Sequence, residues 1–204
     1  MMALTLQQPW ASWVLGIAPV QACGALPGVR DCENRGFSVA HRGDILIHSA
    51  RSVFKPAMNM YWGMEDPPGF PRGALLGVVR LVEILPPEAR CVSRFAESGS
   101  YHWVLSYPRP FVEPIPWRGQ QGLFPVHGAE VRAAVERAEY EARRLWRSLP
   151  LHDREDLLER AGVSEDMGMP RRQANALAIE EFQRNRALRA GGMERNHHHG
   201  IDNG

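Results

Sequence analysis

Fourteen of the sixteen prolines in this 204-residue chain lie before residue 127, together with five of its six tryptophans. Proline fixes φ and lacks the N–H that a helix interior needs, so this stretch can hold only short elements. After residue 127 the composition turns to long polar runs rich in Ala, Glu and Arg, which read as helices. The boundary is placed at His127-Gly128. Residues 1–127 then form a β-rich domain of ordinary size, 128–192 a helical extension and 193–204 a disordered tail.

Within the first part, Ala3 to Leu6 reads as a strand. Pro9 opens a helix whose Trp10, Trp13, Val14 and Ile17 recur at i, i+3, i+4 and i+7. Pro19 to Gly28 is a loop, Ile45 to His48 a buried strand, and Arg51 to Met64 a helix broken at Pro56. Ala74 to Leu85 is the strongest strand, bounded by Gly73 and Pro86-Pro87, and Gly77 inside it predicts a bulge or a close backbone approach. Tyr101 to Ser106 and Leu123 to Val126 supply the last strands, with Pro108 to Pro116 as a connection between them. Short strands with one or two helices make an α+β domain and argue for a small mixed barrel.

In the extension, Val131, Val135, Ala138, Ala142, Leu145 and Leu149 form one apolar stripe. It is expected to pack within its own chain, giving a monomer rather than a homodimer, with Leu157, Leu158, Leu177 and Phe182 of two later helices covering the rest. Those helices are expected over 153–161 and 171–190.

A net charge of +1 gives no global attraction to polyanions, so a nucleic-acid site must be a local cluster. Lys55 is the only lysine, and every other cation is arginine. Cys23, Cys32 and Cys91 are an odd number without a C-x-x-C pair, which points to reduced thiols and a cytoplasmic setting. No H-x-x-x-H, C-x-x-C or D-x-D pattern occurs, so neither metal nor cofactor is expected, and His197 to His199 are read as part of the polar tail. No apolar run approaches the ~18 residues of a membrane span.

The stretch Gly28-Val29-Arg30-Asp31-Cys32-Glu33-Asn34-Arg35 concentrates two cations and two carboxylates. If it is extended, Cys32 and Asn34 share one face and Asp31, Glu33 and Arg35 the other. Spacing alone is equally satisfied by a surface ion pair on an edge strand, which is worth at most about 1 kcal/mol.

Its surroundings add a resemblance. Leu4-Thr5-Leu6-Gln7-Gln8-Pro9-Trp10-Ala11-Ser12 before it, and His41-Arg42-Gly43-Asp44-Ile45-Leu46-Ile47-His48-Ser49-Ala50 after it, resemble the ASCH (activating signal cointegrator homology) domain. The family signature G-x-K-x-x-E-x-R is matched by Gly28, Arg30, Glu33 and Arg35, with arginine in the lysine position. Gly73 to Val79 resembles the central strand of the family, and Trp103 to Leu105 with Gly119 to Phe124 its closing strands. The resemblance spans Leu4 to Val126; the extension resembles no family.

The resemblance implies a PUA-like barrel that binds nucleic acid, RNA ahead of DNA, or a modified nucleotide, in a wet cleft lined by Trp10, Arg30, Glu33, Arg35 and His48. An arginine forks to a phosphate or a base edge, a glutamate accepts from an exocyclic amine, and an indole stacks on a base for ~1–3 kcal/mol. The alternative is a hydrolase of RNA or an acylated nucleoside, with Glu33 as general base on a water and Arg30 or Arg35 stabilising developing charge. In relatives that hydrolyse N4-acetylcytidine the motif lysine is the base and a threonine stands at the glutamate position. Arg30, with a pKa of ~12.5–13.8, cannot take that part. A third reading is protein interaction through the Val131 to Leu149 stripe.

Overall fold

The computed structural model describes residues 1–17, 29–91, 93–155 and 159. The loop expected at Pro19 to Gly28, the signature Gly28, the helix over 171–190, the tail, and Leu157, Leu158, Leu177 and Phe182 lie outside them.

A first compact unit spans Met1–Leu149 and carries a six-stranded sheet. In chain order it holds β1 (Met2–Gln8), α1 (Trp10–Trp13), β2 (Cys32–Arg35), β3 (Gly43–Val53), α2 (Lys55–Trp62), β4 (Ala74–Leu85), β5 (Tyr101–Pro116), β6 (Leu123–Pro125) and α3 (Ala129–Ser148). The strand order is β2-β5-β4-β3-β1-β6, parallel only between β1 and β3. The class is therefore mixed α+β. Among the described residues β2 and β6 are the two edges, and the sheet does not close into the expected barrel. In the second unit, Pro150–Gly204, residues 151–155 and 159 are helical. No helix among the described residues is long and apolar enough to cross a membrane.

Both faces of the sheet are buried, which is why β3 and β4 read as continuous apolar runs. Leu4, Ile45, Ile47, Leu76, Val79 and Trp103 face one core with Ala11 and Leu15. Ala3, Leu46, Leu75, Val78, Phe111 and Phe124 face the other with Val131 and Ala138 of α3. Along β4 the alternation slips between Leu76 and Val79, where a side chain should return to the same face only at even spacing. The slip is a bulge at Gly77, where both neighbouring strands shift register. A Cβ on Gly77 would lie 2.6 Å from Arg109 O and 2.8 Å from Pro110 Cα, so the close approach expected from the sequence is also present.

Four elements differ from expectation. The Pro9 helix is one turn, because Gly16 adopts φ +68 and the Trp13 carbonyl accepts the Gly16 and Arg30 N–H groups while Ile17 N–H turns to Ser12 O. Pro56 stands at the start of α2 rather than breaking it, since the first turn needs no N–H there. The Pro108 to Pro116 segment is strand: β5 runs through it, and its pairing with β4 jumps from Pro110 to Ile115, so Phe111 to Pro114 pair with nothing in β4. The apolar stripe of α3 is buried at Val131 and Ala138 and half-buried at Val135, but Leu145 is 48% exposed.

Arg109 anchors this arrangement. Its guanidinium is 3% exposed, 2.8 Å from Asp44 Oδ2 on β3 and 2.6 Å from Glu139 Oε2 on α3, and it lies 4.5 Å from the Tyr107 ring centroid. Burial pushes both carboxyls up, but hydrogen bonds from Arg109, with Arg80 on Asp44 and Arg143 on Glu139, outweigh it and hold both below their ordinary values.

Candidate functional site

The signature strand β2 pairs antiparallel with β5, Glu33 opposite Trp103 and Arg35 opposite Tyr101. Glu33 and Arg35 share a face, as an extended strand requires, with Arg35 Nε 3.2 Å from Glu33 Oε1. Arg30, just before the strand, closes onto the same carboxylate, its Nη2 3.4 Å from Oε2. Its Nε donates to Cys32 O at 2.9 Å, and its guanidinium carbon lies 4.5 Å from the Trp10 ring centroid and 5.7 Å from that of Phe95. Trp10 is half-buried beside Trp13 and Phe54. At the other end Arg35 Nη2 donates to Thr5 O at 3.0 Å.

Trp10, Arg30, Glu33 and Arg35 therefore form one run of contacts across α1 and β2. The gradient of exposure along it matters. The side chains of Arg30 and Glu33 are 7% and 10% exposed, and that of Arg35 is 24% exposed. Glu33 was expected to face water; it is instead buried between two guanidiniums. Burial raises its carboxyl above the ordinary range, and the nearby charges of Arg35 and Arg30 oppose that rise. Among the described residues Glu33 Oε2 and Arg35 Nε make ion contacts but no well-aligned hydrogen bond, so the cluster retains bonding capacity.

His48 stands apart from this run and reaches it only through Thr5. It pairs with Thr5 across β1 and β3, with Nδ1 3.3 Å from Thr5 Oγ1 and Nε2 3.0 Å from Trp117 O. A carbonyl only accepts, so Nε2 carries the proton. Burial lowers the His48 pKa, the Trp117 bond opposing, and the ring is 2% exposed under the backbone of Gly119. Through the Trp117 carbonyl and Thr5, His48 ties β3 to β1 and to the 117–120 segment.

Thr5, Phe95 and Gln120 join the site without a sequence signal. Thr5 ties three segments, receiving Arg35 on its carbonyl and donating its hydroxyl to Gln120 O at 2.9 Å. Phe95 belongs to the β4 to β5 connection, and its role beside Arg30 is fixed by tertiary contact alone. No protein-family model matches this chain, and no curated protein does.

Proposed function

We propose that the protein is a nucleotide- or nucleic-acid-binding module of the ASCH type, its open six-stranded sheet standing where the family has a PUA-like barrel, with RNA or a modified nucleotide as its ligand in the cytoplasm. The observation that carries this reading is the graded run from half-buried Trp10 through Arg30 and Glu33 to partly exposed Arg35. It combines a half-buried indole, over which Arg30 lies, with an arginine whose side chain is 24% exposed, its Nε beside Glu33 and its Nη2 on the Thr5 carbonyl. Glu33 holds the two arginines in fixed geometry, so little side-chain freedom is lost when a phosphate or base edge arrives. Arg35 makes the ligand contact, Trp10 supplies a stacking edge, and Arg30, Glu33 and His48 position them.

A second reading is favoured by the Glu33 carboxyl itself. Raised by burial, it moves in the direction a general base at neutral pH requires, which keeps a hydrolase of RNA or acylated nucleosides in view. One experiment addresses both. Labelled single-stranded RNA and DNA, duplexes and free acylated nucleosides are titrated by anisotropy or competition, while nucleoside products are followed by chromatography. Binding without turnover supports the module, turnover abolished by Glu33→Gln supports the hydrolase, and silence in both assays contradicts the site.

A further inference from the structure

The reverse face of β2 carries a second cluster, separate from the nucleotide site. Cys32 and Asn34 point away from Glu33 and Arg35, and Asn34 faces His102 across the β2 and β5 pairing, so the pleat sets Cys32, Asn34 and His102 on one side. Cys91 comes onto them from the connection between β4 and β5. One ligand atom from each of Cys32, Cys91 and His102 lies within 4.8 Å of the other two. Cys32 and His102 are 0% and 4% exposed.

We propose that Cys32, Cys91 and His102 bind a zinc-class divalent cation through two sulfurs and one imidazole nitrogen. Bond lengths of ~2.3 Å to sulfur and ~2.0–2.1 Å to nitrogen put tetrahedral ligand atoms about 3.3–3.8 Å apart, so the cluster needs to contract by only about 1 Å. Two soft thiolates with an imidazole select zinc over calcium or magnesium, which take oxygen ligands. Two thiolates also neutralise the ion's charge, and a neutral centre is the form that a buried pocket tolerates. Asn34 Oδ1, 3.2 Å from His102 Nδ1, fixes the orientation of the imidazole.

The entering cation displaces the two thiol protons to solvent, with no change of oxidation state. The bound ion staples the 86–100 connection, and with it Phe95, to the strand that carries the signature. Sequence spacing did not disclose it, because Cys32, Cys91 and His102 are far apart along the chain and meet only through the sheet and the loop.

The test uses the full chain, reduced with a phosphine and stripped by chelator, then titrated with cobalt(II) and back-titrated with zinc(II). The expected result is one cobalt per chain, a thiolate-to-cobalt charge-transfer band with tetrahedral d–d absorption, and displacement by zinc. Cys91→Ser and His102→Ala should each weaken binding at least about tenfold, whereas Cys23→Ser and alanines at His197, His198 and His199 leave it unchanged. On the unmutated chain, zinc should slow alkylation of Cys91 at least about tenfold and leave the rate at Cys23 unchanged, a readout that needs no variant to fold. The proposal is overturned by absence of the charge-transfer band, by binding that follows Cys23 or the histidine tail instead, or by unchanged Cys91 alkylation. Nucleotide binding plays no part in these readouts, so they stand whatever the ligand of the other face.

Discussion

The guanidinium of Arg30 lies over the Trp10 ring, its central carbon 4.5 Å from the ring centroid, while its Nε is spent on the Cys32 carbonyl. A planar cation stacked on an indole and bonded at a fixed angle is a role that lysine cannot copy, although the two share charge and near-equal length. Arg30→Lys should lower stability by about 1–2 kcal/mol through loss of the desolvated cation–π contact and the Nε bond. Urea unfolding measures it, and an unchanged midpoint would show that the stack contributes nothing.

Glu33 sets a pH dependence of known sign. Its folded-state pKa is raised by burial above the ordinary 4.5, so the folded form binds the proton more tightly than the unfolded chain. Its contribution to stability is full below 4.5 and is lost as pH rises through the higher folded value. Asp44 and Glu139, held low, act in the opposite sense: their contribution is present above their ordinary values and is lost as pH falls. His48, lowered by burial, adds stability as pH rises toward its ordinary 6.5 and partly masks the Glu33 slope. The clean observable is the difference between wild type and Glu33→Gln. The variant should gain relative stability as pH climbs above 4.5, and a flat difference curve would refute the assignment.

Gly77→Ala tests the bulge. The added methyl meets backbone atoms of Arg109 and Pro110 that cannot rotate away, so strands β4 and β5 must part. A loss of about 1–3 kcal/mol is expected, the range for overpacking a close-packed interior. Thermal melting reads it directly. A neutral outcome would mean that the two strands are not held together at this point.

Arg109→Met should cost about 2–4 kcal/mol, somewhat below the loss for a fully buried pair because Asp44 and Glu139 keep 29% and 26% of their side-chain surface in water. The expected signature also includes weaker protection of α3 amides from exchange, since Arg109 ties that helix to β3. If only global stability fell and α3 protection were retained in proportion, the tie would be incidental.

The local elements were legible wherever hydrophobic pattern and glycine chemistry act over a few residues. Ala74 to Leu85 is β4 to the residue, and Gly77 announced its bulge. The alternation that put Glu33 and Arg35 on one face held for the same reason. Elements decided by long-range contact were not legible. Nothing near Pro108 to Pro116 says that a proline-rich segment is strand, because the pairing jump that tolerates it depends on β4. Arg109 between two prolines gives no sign of being the most buried cation among the described residues. The burial of Glu33 needed Trp103 opposite it and Arg30 over it, and the contacts of His48 with Thr5 and the Trp117 carbonyl come from residues 43 and 69 positions away along the chain.

The most direct test of the nucleotide-site account is the dissociation constant of a short fluorescein-labelled single-stranded RNA for wild type and for Arg35→Ala, with melting temperatures measured in parallel. Arg35 has the most exposed side chain of the three charged members of the run, and its removal leaves Glu33 still paired with Arg30. Loss of one charge-assisted contact predicts binding weakened by about ten- to a hundredfold, that is ~1.5–3 kcal/mol, with a cooperative melt retained. Equal affinity of the two proteins for the RNA, or no binding by wild type to RNA, DNA or nucleotide at moderate salt, would contradict the account.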